Sequence, residues 1–242
     1  MSQKGLPLRA PGFSKTRLAV LENFIYFFQM PSLRTLLAAL LFLPLTIRGE
    51  DRPNILWITS EDNGISWVSS YGGTNAKTPH IDQLAAEGFR YQYCFDNAAV
   101  CAPTRSCWIT GMHAVSNGTQ PMRSRNEIPH DRIAYYPDLL KEAGYHTSNP
   151  SKTDYNIGGR DDYEAWDVGK GKGTTYGWRK RESGQPFFAV VNIGESHESR
   201  AHGDNENTRN DPAKMTLFSY HPDLLEIRKT YAKHADAVEK MD

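Results

Sequence analysis

The stretch Asn54-Ile55-Leu56-Trp57-Ile58-Thr59-Ser60-Glu61-Asp62 decides the fold, because an apolar run passes directly into charged residues. Residues 54–59 are mostly β-branched or apolar and predict a buried strand. Beyond it, the chain alternates strand-like and helix-like segments. This order predicts an α/β domain with a largely parallel, in part mixed, central sheet flanked by helices.

The segments that follow supply the other predicted elements. Thr78 and Pro79 predict the start of a helix that Gly88 ends, with Ile81 and Leu84 on one face together with Ala85. The remaining predicted elements are strands at 89–94, 145–148 and 187–193, helices at 101–110, 137–143 and from 222 to the last residue, and a long surface loop at 158–185.

Composition limits the classes of partner. The 242 residues carry 28 Lys and Arg against 28 Asp and Glu, so the formal net charge is zero. This balance argues against nucleic acid or an anionic membrane as the main partner. Cys94, Cys101 and Cys107 form neither a disulfide framework nor a zinc ligand set, although one pair could bridge in an oxidising compartment.

The N-terminal region has the anatomy of an export signal. From Met30 a short basic segment precedes the apolar run 36–47, which is too short to span a bilayer. We therefore expect a signal peptide at 30–49, a mis-assigned leader at 1–29, and a secreted or periplasmic domain at 50–242 without a stable membrane anchor. A buried apolar helix is the alternative interpretation of the same run.

The segment that indicates a catalytic function is Cys101-Ala102-Pro103-Thr104-Arg105-Ser106-Cys107-Trp108-Ile109-Thr110-Gly111. Pro103 favours a helical first turn, so Cys101 is expected at a helix N-terminus, where free backbone N–H groups favour an anion. Arg105, one turn later, adds a planar cationic fork. A nucleophile beside such an anion site suits the hydrolysis of phosphate or sulfate esters.

This segment resembles the signature of type I sulfatases, the formylglycine-dependent family, over roughly residues 52–242. The likeness is to the arylsulfatase A-like and heparan N-sulfatase-like (N-sulfoglucosamine sulfohydrolase) branch. It implies the N-terminal portion of an alkaline-phosphatase-like fold. It also implies that a formylglycine-generating enzyme oxidises Cys101 to Cα-formylglycine (3-oxoalanine), whose hydrate attacks sulfur. The alternative for Cys101 is a small buried thiol.

Glu61 and Asp62 close the first strand, and ligands gather at the carboxyl ends of strands in open α/β sheets. Two carboxylates there predict a site for a hard cation, Ca²⁺ or less favourably Mg²⁺. The resemblance favours Ca²⁺ and adds Cys101 to the ligand set, although Glu61 stands where the family has an aspartate. A solvated strand end is the alternative.

Three further residues gain roles only through the resemblance. A fourth, Arg123, lies in the basic run after the signature helix and could meet a substrate carboxylate or a second sulfate, with a solvated charge run as the alternative. Lys152 aligns with the family lysine that contacts sulfate, and His197 with the histidine at the leaving group. Asp154 occupies the place of a family histidine, so we assign it, with Arg123, to substrate binding. Without the resemblance, Lys152 would be read as a surface lysine and His197 as a structural histidine.

The implied reaction removes sulfate from a sulfated carbohydrate or, in artificial assays, from an aryl sulfate. The family's catalytic domain extends beyond the part matched here and supplies further metal ligands, so we expect a fragment or a partner-dependent half. Two other functions stay open. One is a formylglycine-dependent phosphodiesterase or phosphonate hydrolase, and the other is an inactive, truncated binder of anionic glycans.

Overall fold

The computed structural model describes residues 52–170 and 176–242, and parallel strands form its centre. The strands are β1 (Ile55–Thr59), β2 (Asn126–Glu127), β3 (His146–Ser148), β4 (Ile157–Gly158) and β5 (Phe187–Asn192). The main sheet has the order β1-β5-β3, and β2 pairs with β4 in a second sheet. All three pairings are parallel, which confirms the predicted α/β class.

Five α-helices connect and cover these strands in the described ranges. They are α1 (Pro79–Glu87), α2 (Cys101–Thr110), α3 (Ala114–Asn117), α4 (Tyr136–Glu142) and α5 (Leu225–Met241). The Asp242 carboxylate at the end of α5 accepts hydrogen bonds from the backbone N–H groups of His80 and Ile81, at 3.0 and 2.8 Å. It thereby caps the N-terminus of α1, where a negative charge is favourable.

Two apolar clusters hold the described residues together. The first packs around β5, β4 and the segment that leads into β3, and it includes Ile109, Tyr135, Ile157, Trp166 and Phe188. The second lies along the buried face of α5, where its members include Trp67, Tyr231, Ala235, Val238 and Met241. The predicted C-terminal helix is therefore a structural support and not a surface appendage.

One predicted element is absent, and two others differ in part from the prediction. Residues 89–94 form no strand, and Phe89 is fully exposed because no neighbouring strand pairs with this segment in the described chain. Leu84 does not pack with its helix face, since 64% of it is exposed. The loop 158–185 is not a pure surface loop: Trp166 and Val168 are buried, and Val168 bridges Ser148.

Several expectations fall outside the described residues. They are the leader at 1–29, the signal peptide at 30–49 and the first two residues of the domain at 50–242. Within 52–170 and 176–242, no helix has the length and apolar character needed to cross a membrane.

The first cluster should dominate the stability of the domain. Ile157 is 1% exposed inside it, whereas Ile65 is 67% exposed. We expect Ile157→Ala to lower the free energy of unfolding by about 2–5 kcal/mol, because it leaves a cavity in a packed core. The matched Ile65→Ala should change it by less than about 0.5 kcal/mol. Urea unfolding followed by tryptophan fluorescence measures both, and equal effects would contradict this assignment of the core.

Candidate functional site

The carboxyl ends of β1 and β5 lie side by side, because Thr59 pairs with Asn192. Glu61 and Asp62 follow β1, and His197 follows β5 on the next loop. Ser196 joins the two exits: its hydroxyl donates to the Glu61 carbonyl at 2.5 Å and lies 3.3 Å from the Glu61 N–H. The strand register therefore brings the predicted metal and leaving-group residues to one edge of the sheet.

The Glu61 carboxylate is the centre of this site. Its side chain is only 4% exposed and pairs with Arg105 at 3.0 Å and Lys152 at 2.6 Å. The His197 Nε2 atom lies 3.6 Å from the same carboxylate. A buried carboxylate needs such partners, because an uncompensated charge away from water is strongly unfavourable. Three residues predicted separately from sequence thus meet at one group.

Arg105 is held from several sides. Besides Glu61, its guanidinium donates to the Asn192 side-chain oxygen at 2.8 Å and to the Lys152 carbonyl at 3.3 Å. It also lies over the Trp108 ring, 5.5 Å from the ring centroid. These contacts fix the direction of the positive charge before any ligand arrives, which suits electrostatic stabilisation.

Cys101 is the first residue of α2, as the Pro103 frame predicts, and its N-cap, Val100, is in an extended conformation. The Cys101 sulfur lies 3.9 Å from the Asp154 carboxylate, which forms an ion pair with Arg123. This hydrogen-bonded pairing raises the pKa of Arg123 above its ordinary value. The two predicted substrate residues therefore meet each other beside Cys101.

Arg123 and Asp154 both adopt left-handed backbone conformations, with φ of 59° and 48°. Such conformations are uncommon for residues other than glycine and must be stabilised by their surroundings. Asn156, with φ of 61°, supplies that support. Its amide donates to two carbonyls of the segment before Arg123, at 2.7 Å each, and its oxygen accepts from the Ser124 N–H at 2.8 Å.

A cleft of about 460 Å³ opens over this edge of the sheet. Glu61, Asp62, Cys101 and Arg105 line it, together with Asn63, Asp96 and Trp108. Asn63, Asp96 and Trp108 were not predicted as site residues from the sequence. Their positions gave the only signal: Asn63 adjoins the acidic pair, and Trp108 lies one turn beyond Arg105 on α2.

The side chains fit a hard divalent cation. Ligand atoms of Glu61, Asp62 and His197 all lie within 4.8 Å of one another. Both amide atoms of Asn63, which lines the same cleft, are buried without a hydrogen-bond partner in the described residues, so a further oxygen ligand is free. Carboxylate and amide oxygens are the donors that Ca²⁺ and Mg²⁺ prefer. The Cys101 sulfur is not in this group, and its role as a ligand stays a prediction.

Comparisons with known proteins agree on one family. A family model described as Sulfatase matches residues 53–242. The ulvan-active sulfatase of Formosa agariphila is 35% identical over 161 residues, which cover 62% of this chain and 26% of that protein. The N-acetylgalactosamine-6-O-sulfatase of Bacteroides thetaiotaomicron is 34% identical, over 46% of this chain and 22% of that protein. The chain therefore spans about a quarter of the length of these relatives.

The solved structure of Ps i-CgsB in complex with k-i-k-neocarrahexaose shares the fold. It superposes with a TM-score of 0.50 at 19% sequence identity, over 78% of this chain and 53% of that one. At this level of identity the likeness concerns the fold alone.

Breaking the ion pairs of Glu61 should destabilise the fold. Within the described residues Arg105 pairs with no other carboxylate, so Glu61→Gln leaves a buried guanidinium uncompensated, and we expect the free energy of unfolding to fall by about 3–5 kcal/mol. Glu127 is exposed on β2, and the matched Glu127→Gln should cost less than about 0.5 kcal/mol. Urea unfolding of both variants provides the measurement. A Glu61→Gln protein as stable as the control would show that the pairs add nothing to the fold.

Proposed function

Because this chain belongs to the sulfatase family, we propose that its cleft acts in the hydrolysis of sulfate esters on a sulfated carbohydrate. The observation that carries the proposal is the meeting of Arg105, Lys152 and His197 at the buried Glu61 carboxylate, beside the helix N-terminus that carries Cys101. The names of two relatives, active on ulvan and on N-acetylgalactosamine 6-O-sulfate, support a carbohydrate substrate.

The charges of the site favour a divalent cation together with an anionic substrate. Four carboxylates, of Glu61, Asp62, Asp96 and Asp154, face three cationic side chains, of Arg105, Lys152 and Arg123. The set carries one net negative charge by itself. A bound divalent cation would therefore leave one positive charge, which favours an anionic substrate such as a sulfate ester.

Glu61 and Asp62 would hold that cation, with Asn63 as a further oxygen donor. When bound, Ca²⁺ would polarise the sulfate oxygens and neutralise their charge. Arg105 is placed to orient the sulfate group through its fixed guanidinium. Lys152, whose side chain is 27% exposed, adds a second positive charge beside Arg105 at the Glu61 carboxylate.

His197 is arranged to donate a proton. Its Nδ1 accepts a hydrogen bond from the Ser199 N–H at 3.2 Å and lies 2.8 Å from the Ser199 hydroxyl, an arrangement that favours the tautomer with the proton on Nε2. The Nε2 atom faces the site, 3.6 Å from Glu61. This tautomer presents an N–H to a leaving oxygen, which is the role of a general acid.

Conversion of Cys101 to formylglycine would supply the nucleophile, since an aldehyde hydrate can attack sulfur and later expel sulfate. The N-terminal position of Cys101 on α2 places any oxygen formed there next to unpaired backbone N–H groups. Asp154 approaches the same residue and is held by Arg123, so the pair can restrict the orientation of the modified side chain.

The first test is the mass of the tryptic peptide 91–105 from protein made in its own host. We expect a loss of about 18 Da, the difference between thiol and aldehyde, whereas ordinary cysteine oxidation adds mass. A Cys101→Ser variant, expressed in the same way, is the control for peptide assignment. An unmodified thiol in a host with a working modifying enzyme would contradict the proposal.

The second test addresses the cation. We expect Ca²⁺ at about 100 times its dissociation constant to stabilise the protein by about 2.7 kcal/mol, and Asp62→Asn to remove most of this gain. Asp211→Asn is the matched control, because Asp211 and Asp62 both accept a backbone N–H, at 2.9 and 2.7 Å, outside the apolar core. Thermal unfolding with and without Ca²⁺ measures the effect. Equal responses from both variants would place the cation elsewhere.

A further inference from the structure

A second cleft, of about 500 Å³, lies between α5 and the loop that follows His197. We call it the basic cleft. Its lining is Glu195, Arg200, Arg209, Lys233, Asp236, Ala237 and Lys240. Lys233, Ala237 and Lys240 lie four and three residues apart on α5, so they share one helix face, and the small Ala237 leaves room between the two lysines.

The carboxylates of the basic cleft are already engaged. Asp236 accepts hydrogen bonds from the backbone N–H groups of Arg209 and Asn210, at 2.7 and 3.0 Å, and from the Asn210 amide at 2.8 Å. Glu195 pairs with Lys240 at 2.7 Å, and this pairing lowers the pKa of Glu195. The lining has four cationic side chains, those of Arg200, Arg209, Lys233 and Lys240, against these two carboxylates, so a net positive charge remains.

Two cations of the basic cleft lack a carboxylate partner in the described part of the chain. Lys233 is half-buried, and its ammonium donates to the neutral His202 carbonyl at 2.6 Å. Arg200 forms no ion pair with any described acidic residue, although its positive charge lowers the pKa of Glu195. A concave surface with unbalanced positive charge concentrates anions.

The basic cleft is also tied to the candidate site. His197 is the N-cap of the short helix Glu198–Arg200, so Arg200 lies only three residues further along the chain. The Cα atoms of His197 and Arg200 are therefore at most about 11 Å apart. An oligosaccharide that is bound at His197 can reach Arg200 with a neighbouring sugar.

We propose that the basic cleft binds a second anionic group, a sulfate or a carboxylate, on a sugar next to the one that carries the reacting sulfate. This inference rests on the proposed function. Arg200 and Lys233 supply the charge that recognises the group, and the geometry selects acidic oligosaccharides over small aryl sulfates. The substrate class is thereby narrowed to polyanionic glycans.

The test measures how tightly charged polysaccharides bind to the intact chain, with Cys101 kept as the unmodified thiol. The probes are fluorescent dextran sulfate, fluorescent oligogalacturonate as the carboxylate form, and neutral dextran. We expect the double variant R200Q/K233Q to bind at least one charged probe about tenfold more weakly, because two charge-assisted contacts are lost. The probe that responds identifies the group as sulfate or carboxylate.

The double variant K214Q/K229Q is the matched control, since it removes the same charge outside the cleft. Lys214 is exposed, and Lys229 already pairs with Glu206 at 2.7 Å. The control should bind within about threefold of the parent chain. Equal losses in both double variants, or parent binding no stronger than that of neutral dextran, would overturn the proposal.

The mass of the peptide that carries Cys101, measured on protein from the native host, distinguishes failure of the catalytic proposal from failure of the basic-cleft proposal. An unmodified Cys101 together with selective loss of binding in R200Q/K233Q would refute the catalytic proposal alone. A modified Cys101 with unchanged binding in R200Q/K233Q would refute the basic cleft alone.

Discussion

The buried Glu61 carboxylate is the interaction on which the rest of the site depends. It lies between Arg105 and Lys152, which come from separate parts of the chain, and His197 approaches it from a third. A buried ion pair is poor at adding stability, because desolvation offsets the attraction, yet it becomes costly to break once formed. Its value here is geometric, since it fixes two cationic groups in direction before a ligand binds.

The parallel sheet makes this arrangement possible. Because β1 and β5 run in the same direction and end in register at Thr59 and Asn192, the loops that follow them start side by side. Asn192 then extends the network, since its oxygen accepts from both Thr59 and Arg105, at 2.9 and 2.8 Å. One strand end thus orders both the sheet edge and the helix that carries Cys101.

Local signals in the sequence predicted most helices and strands. The predictions that failed depend on pairing between segments that lie far apart in the sequence. The strands at β1 and β5 and the helix at α2 follow from β-branched runs and from Pro103, which act within a few residues. The segment 89–94 alternates aromatic and polar residues, which is also a strand signal, but no strand pairs with it in the described chain, so it forms no ladder. A strand needs a neighbour, and a single sequence does not say where that neighbour is.

The candidate site also combines residues that local sequence patterns reveal with contacts that they do not reveal. The acidic pair, Cys101 and Arg105 are recognisable because a strand end or a helix start marks each of them. No local pattern reveals that Glu61 pairs with Lys152, which lies 91 positions further along the chain. Nor does any reveal that Asp62 accepts the Glu198 N–H at 2.7 Å.

The hydrogen bond from the Glu198 N–H to Asp62 belongs to a continuous set of contacts between the loops that follow β1 and β5. Ser196, His197 and Glu198 are successive residues, and each one meets the exit of β1 at Glu61 or Asp62. The acidic pair therefore sets the path of the loop as well as offering ligands. Since the same loop continues to Arg200, the residues that would hold a cation also position the first charge of the basic cleft. Metal binding and glycan recognition would then depend on one short stretch of backbone.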